Sequence, residues 1–323
     1  MFNIGVIGIS DHTQENILPA LKTIQHAKIV GIASTNETKL SEIGSGYDIP
    51  ILEKNWRSII HNEKIRYIVV ASNPSFHEQV IEECIKVDKP VFVDKPPATS
   101  SAKLQELINL NHVNTPIFVG YSFRHADPYQ KFIETSEKIS PIRQFKATYI
   151  TNKPVAPLWH YDDVLTSYLY SVGIHPIEMA TAMFGEIKSI YTSINHIANN
   201  DSIFSLLIDI EFTTGQKAQI ECGNYSNRLV MEYEIVGENG FWGSLRDWYK
   251  FEFVLPKETH IVSNKEVISY QYPPARGGYY RTGYAAELEK FLLSSEENNK
   301  TDCDLVHSIP VYAVIDAVLK DNA

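Results

Sequence analysis

The chain has 323 residues, a formal charge of −10, and 44% apolar against 21% charged residues. This length favours two domains over a single core, and the composition excludes disorder, a collagen-like repeat and a disulfide scaffold. Lys and Arg are scattered rather than blocked together, and no apolar run reaches the ~20 residues that span a bilayer, so neither a nucleic-acid nor a membrane partner is expected.

The opening MFNIGVIG enters a strand pattern without the charged and apolar regions of a secretory signal, which gives a cytoplasmic expectation. Cys84, Cys222 and Cys303 stand far apart without CxxC spacing. That suits packing residues in a reducing compartment better than disulfides or zinc, and no metal is expected.

Strands are predicted at Asn3–Ile9, Lys28–Ala33, Tyr67–Ala71, Pro90–Val93 and Pro116–Gly120, with helices at Glu15–Ile24, His77–Val87 and Ser101–Asn111. Most of these strands are apolar without alternation, as in a parallel sheet covered on both faces. After about Tyr121 the texture changes. Helical patterns at Pro128–Lys138 and Leu165–Phe184 bracket a strand at Gln144–Thr151, and alternating segments then fill Ile187–Tyr272, among them Phe204–Phe212, Lys217–Tyr225 and Met231–Val236. Helices at Tyr284–Ser294 and Leu305–Lys320 close the chain. The fold class that follows is an α/β Rossmann domain over residues 1–122, then an α+β domain with a large, mainly antiparallel open sheet over 123–323, the closing helices being free to pack back on the first domain.

The first turn reads Gly8-Ile9-Ser10-Asp11-His12-Thr13, between a predicted strand and a predicted helix. A dinucleotide fingerprint needs glycine where the backbone turns sharply beside the pyrophosphate. Only Gly8 fills such a position; Ser10 and Thr13 occupy the other two. The second strand ends at Ser34-Thr35, where NAD-preferring folds place an acid on the ribose hydroxyls. Without that carboxylate a 2′-phosphate is not repelled, and Ser34, Thr35 and Lys39 offer donors to it. NADP(H) is therefore favoured, with NAD(H) also accommodated.

Further on, Ala71-Ser72-Asn73-Pro74-Ser75-Phe76-His77 and Asp94-Lys95-Pro96 follow two successive strands. Here the sequence resembles the Gfo/Idh/MocA family, which carries a Thr-Pro-x-x-x-His-like element and a Glu-Lys-Pro element at these places. The likeness continues at Gly120-Tyr121-Ser122-Phe123-Arg124, at Gly173-Ile174-His175-Pro176-Ile177-Glu178, at Tyr284-x-x-Glu287-x-x-x-Phe291 and at Val314-Ile315-Asp316-Ala317. It implies an NAD(P)-dependent oxidoreductase acting on a small polyol, sugar derivative or cyclic imine, and a homo-oligomer. The cofactor residues it suggests, joined to those read from the turns, are Gly8, Ile9, Ser10, Ser34, Thr35, Ser72, Asn73, Pro74, His77, Asp94, Lys95 and Arg124.

Lys95 is implied as the group touching both the cofactor side and the reacting oxygen, and His175 as the acid/base, its imidazole suited to proton transfer near neutrality. Redox relatives typically carry an Asp four residues before that His; Ser171 stands here instead, and Tyr168, Tyr170 and Asp162 are the alternatives for its role. Aromatic and cationic residues gather at Trp159-His160-Tyr161-Asp162-Asp163 and at Arg276-Gly277-Gly278-Tyr279-Tyr280-Arg281. From these regions Trp159, His160, Tyr168, Ser171 and Tyr280 are the candidate substrate contacts. The thinned glycine pattern and Ser171 also motivate a second reading, a non-redox relative that binds dinucleotide as a sensor or partner-binding protein.

Overall fold

The structure, a computed structural model, describes residues 1–197, 200–255, 267–271, 278–297 and 301–322. Two compact units emerge, Met1–His125 with Gly278–Ile309, and Ala126–Gly277 with Pro310–Ala323.

The first unit runs β1 (Phe2–Ile7), α1 (Leu18–Thr23), β2 (Ala27–Ala33), α2 (Glu37–Gly46), β3 (Ile51–Glu53), α3 (Trp56–Ile60), β4 (Tyr67–Val70), α4 (Pro74–Lys86), β5 (Val91–Asp94), α5 (Ser101–Leu110), β6 (Ile117–Gly120) and α6 (Ser122–His125). The six strands pair in parallel in the order β3-β2-β1-β4-β5-β6. Strand order reverses between β1 and β4, the place in such a sheet where a crevice opens beyond the carboxyl ends. β4 and β6 are buried along their whole length, which explains their unbroken apolar sequences. The sequence pattern does not reveal α2, β3 and α3, because two are only three and five residues long and α2 buries little more than Leu40 and Gly44.

The second unit runs α7 (Asp127–Ile139), β7 (Ile142–Ile150), α8 (Val164–Tyr168), α9 (Ile174–Phe184), β8 (Ile187–Ile197), β9 (Asn200–Phe212), β10 (Lys217–Gly223), β11 (Val230–Gly237), β12 (Trp242–Arg246), β13 (Lys250–Val254) and β14 (Val267–Gln271). These eight strands form one sheet in the order β14-β13-β12-β11-β7-β10-β9-β8, antiparallel except where β7 meets β10. Alternation sets its two faces: Phe204, Leu206, Ile208, Ile210 and Phe212 of β9 all point into the core. Phe132 of α7 stacks on Phe251 and Phe253. The opposite face carries ion pairs such as Arg246–Glu232 and Lys188–Glu211. The helix expected at Leu165–Phe184 is present but not uniform, since a π-helical turn, Leu169–Gly173, joins α8 to α9.

Two helices close the chain, α10 (Tyr284–Glu296) and α11 (Ile309–Asp321). α10 completes the core of the first unit: Ala285, Leu288, Phe291 and Leu292 are fully buried in one apolar cluster with Tyr67, Phe92 and Phe118. Most of α11 belongs to the second unit, where Tyr312 packs edge-on against Tyr170. Cys84, Cys222 and Cys303 are free and buried.

Candidate active site

The turn after β1 is built on Gly8, whose φ of +93° only glycine adopts without strain. Its N–H donates to the Ala33 carbonyl (3.0 Å), drawing the turn onto the end of β2. Ser10 then caps the helix that starts at Asp11, its Oγ accepting the Thr13 N–H at 3.1 Å. Thr13 is fully buried, and its hydroxyl donates to the Ala71 carbonyl at 3.3 Å. The two hydroxyl residues that thin the glycine pattern thus tie the turn to the end of β4. A π-helical stretch, Thr13–Ile17, leads from them into α1. Thr13→Val, which keeps the shape and deletes the bond, is expected to cost about 1–2 kcal/mol in denaturant unfolding, and Thr13→Ser much less. Equal midpoints for parent and Thr13→Val would refute the tie.

Beside this turn lies a cavity of 620 Å³, lined by Gly8, Ile9, Ser10, Ser34, Thr35, Ser72 and Asn73 from the sequence-derived set. Lys39, Lys54 and Trp56 also form its wall, and among the described lining residues there is no carboxylate. Ser34 is held by its N–H on the Glu53 carbonyl (3.1 Å), and its Oγ accepts the Asn36 N–H (3.1 Å). At the rim, Lys39 faces Asp11 at 3.3 Å and Lys54 faces Glu37 at 2.5 Å. The Arg57 guanidinium lies over the Trp56 ring, 4.1 Å from its centroid. Lys54 and Trp56 escaped the sequence reading because they flank β3, the strand it did not see.

These residues fit a dinucleotide. Gly8 leaves the backbone uncovered where a pyrophosphate must approach, a capped helix begins just beyond it, and the ammonium groups of Lys39 and Lys54 share the wall with the hydroxyl residues Ser10, Ser34, Thr35, Ser72 and Ser75. Bound there, a nicotinamide cofactor would supply or accept hydride.

The other five residues expected at the cofactor are placed differently. Pro74 is the buried first residue of α4, following Asn73, whose side chain caps that helix through the Phe76 N–H (3.0 Å). His77 has no exposed surface; its Nε2 accepts the Ser72 N–H (2.8 Å) and its Nδ1 lies 2.9 Å from the Pro96 carbonyl. Burial holds its pKa below the usual histidine value. The expectation that His77 touches the cofactor is therefore corrected: both ring nitrogens are used inside the protein. The Arg124 guanidinium bonds the Asp302 carbonyl (3.1 Å) and pairs with the Asp302 carboxylate. Asp94, the last residue of β5, approaches His12 Nε2 at 3.6 Å. Lys95 follows it, half-buried, at the carboxyl end of the sheet, with Pro96 buried behind.

In the second unit His175 sits in the first turn of α9, 8% exposed, with the edge of its ring facing Tyr149 at 6.4 Å between centroids. Burial pushes the Tyr149 phenol up to about 12. Ser171 lies inside the π-helical turn, and its hydroxyl donates to the Ser167 carbonyl at 2.5 Å. Tyr168 is a core residue rather than a substrate contact: it is fully buried, and its hydroxyl donates to the Tyr149 carbonyl (3.1 Å) while accepting the Gly223 N–H (2.7 Å). Trp159 and His160 are exposed in the 152–163 loop, where Tyr161 stacks on Tyr170 with centroids 5.1 Å apart. Tyr280 belongs to the first unit and packs against its core, its hydroxyl 3.5 Å from Glu289. Arg276 and Gly277 lie outside the described residues. Among the described residues no group of three or more His, Cys, Asp or Glu could hold a metal, and no helix is long and apolar enough to cross a membrane.

A parallel sheet with a cavity at its switch point, followed by an α+β unit on a large open sheet, defines a two-domain protein of Rossmann type. Residues 2–121 match the family model "Oxidoreductase family, NAD-binding Rossmann fold", and residues 131–242 match "GFO/IDH/MocA C-terminal domain". The chain belongs to the GFO/IDH/MocA oxidoreductase family. Among curated proteins it is 24% identical over 199 residues to oxidoreductase P35 of Formosa agariphila, a match spanning 58% of this chain and 62%, less than two thirds, of that relative. It is 22% identical over 251 residues to a myo-inositol 2-dehydrogenase of Thermotoga maritima, covering 73% of each. Among solved structures a dehydrogenase from Chromobacterium violaceum has the same fold, with a TM-score of 0.92, 22% identity and coverage of 99% of this chain and 95% of that one.

Proposed function

We propose that this protein is a cytoplasmic, homo-oligomeric dehydrogenase or reductase that prefers NADP(H) and moves hydride to or from a small polyol, sugar derivative or cyclic imine. The observation that carries the reading is the 620 Å³ cavity, with the Gly8–Ser10 turn at one side and Ser34, Lys39 and Lys54 at the other. No acid stands at Ser34 to compete with a 2′-phosphate, and Lys54 adds a second cation that strengthens the preference. The likeness to a myo-inositol 2-dehydrogenase supports a polyhydroxylated substrate.

In this reading Lys95 presents its ammonium to the reacting oxygen or nitrogen of the substrate, and the His175 imidazole holds and releases the proton. Ser34, Thr35 and the two lysines hold the ribose phosphate end of the cofactor. Titration of the protein with NADPH and NADH tests the proposal: NADPH is expected to bind at least as tightly. Lys54→Ala is expected to weaken NADPH about fivefold, the scale of one partly exposed charge-assisted hydrogen bond, and to leave NADH within about twofold. Tighter NADH binding by the parent would overturn the preference. Firm NADPH binding without turnover across a screen of polyols, sugars and cyclic imines would favour the sensor reading instead, which rests on Ser10, Thr13 and Ser171.

A further inference from the structure

We infer that His77 is a positioning residue, a neutral strut that sets the cofactor-side turn at Ser72–Asn73 with one ring nitrogen and the Lys95–Pro96 turn with the other. The inference rests on the proposed roles of those two turns and goes beyond them by assigning one side chain to both. The Ser72 N–H, 2.8 Å away, can only donate, so Nε2 must be the unprotonated, accepting nitrogen. The Pro96 carbonyl, 2.9 Å away, can only accept, so Nδ1 must carry the hydrogen. The ring is therefore neutral in one tautomer, and a second proton would break the bond to Ser72.

Its surroundings enforce the arrangement. His77 lies in the first turn of α4, which Asn73 caps and Pro74 starts, so the ring cannot shift without moving the cavity wall formed by Ser72, Asn73 and Phe76. It is fully buried, and the charges of Asp94 and Lys95 act on it with opposite sign. Ser72 follows the end of β4 and Lys95 follows the end of β5, adjacent parallel strands whose paired register ends at Val70 and Val93, short of both turns. The imidazole bridges the gap that the sheet leaves.

Two near-isosteric substitutions separate the two arms. His77→Gln places an amide oxygen near the Nε2 position, retaining the acceptor for Ser72 and losing the bond to Pro96. His77→Asn places an amide N–H near the Nδ1 position, retaining the donor to Pro96 and losing Ser72. NADPH titration reads the first arm. The rate of Lys95 acetylation by trace acetic anhydride, followed by mass spectrometry across a pH series, reads the second.

His77→Gln is expected to bind NADPH within about twofold of the parent while its Lys95 labelling profile changes about fivefold; His77→Asn is expected to show the reverse, each arm being one buried hydrogen bond. Equal changes in both readouts for both variants would mean a merely structural histidine and would overturn the inference, as would no change in either. If one variant fails to fold by thermal melting, the other decides through its retained and lost arms. A parent that binds neither NADPH nor NADH would overturn the cofactor reading rather than the strut, and the contrast in Lys95 labelling between His77→Gln and His77→Asn would still decide the strut.

Discussion

Lys95→Met is expected to lower turnover by about two or more orders of magnitude, the scale on which a positioned acid or electrophile acts, while the protein stays folded. Lys95 follows the last residue of β5 at the carboxyl edge of the parallel sheet, half-buried and braced by the buried Pro96. Met keeps the length and apolar stem of the side chain and deletes only the ammonium, so loss of rate reports the charge rather than packing. His175→Asn should cause a loss of similar size, because it removes the only group proposed to carry the proton near neutral pH. The measurement is kcat and KM on the substrate that emerges from the screen, with a melting curve for each variant. Full turnover in either variant, with normal cofactor binding, would remove that residue from the proposed chemistry.

The second large effect concerns Gly8. With φ at +93° it occupies a backbone region that a β-branched residue enters only as an outlier. A Cβ placed there would itself meet only ordinary contacts, 3.5 Å from the Ala71 carbonyl oxygen. The penalty for Gly8→Val therefore arises from the backbone and from the γ-methyls at the cavity wall. The turn is expected to relax away from its present path, weakening NADPH by about tenfold or more and lowering the melting temperature. Gly46→Ala serves as the control, since a Cβ there meets nothing within 4 Å and should leave NADPH affinity unaltered without lowering the melting temperature. Unchanged NADPH affinity in Gly8→Val would dissociate this turn from the cofactor site.

Much of the architecture was legible because it rests on periodicity. The buried parallel strands read as continuous apolar runs and β9 as an alternating one, and burial follows both patterns. Part of the cavity wall was legible too, since Gly8, Ser10, Ser34, Ser72 and Asn73 all stand at or just beyond strand ends, where parallel sheets place their ligands. Lys54 and Trp56 were not, because a three-residue edge strand gives no periodic signal to hang them on. His77 and Arg124 look like site residues in sequence, yet each bonds within the protein, and no motif distinguishes a histidine facing a ligand from one facing a carbonyl. Tyr168 likewise bonds within the protein, and the local geometry around Ser171 carries no signal of its own in the sequence. The π-helical turn at Leu169–Gly173 changes the angular count along a segment that the sequence presents as one even helix.

The placement of α10 bears on how the protein is made. Phe291, Leu288 and Leu292 close an apolar cluster whose other walls, Tyr67, Phe92 and Phe118, are synthesised far earlier in the chain. At translation rates of ~5–20 residues per second, the ribosome needs roughly ten seconds or more to travel from the end of the sheet to α10. During that interval the nascent nucleotide-binding domain carries an uncovered apolar face, so it cannot reach its final stability until residues 284–296 have emerged. Chaperone dependence in this protein should therefore centre on its N-terminal half, and a chain arrested before residue 284 should be a better substrate for cellular proteases than one arrested after residue 309.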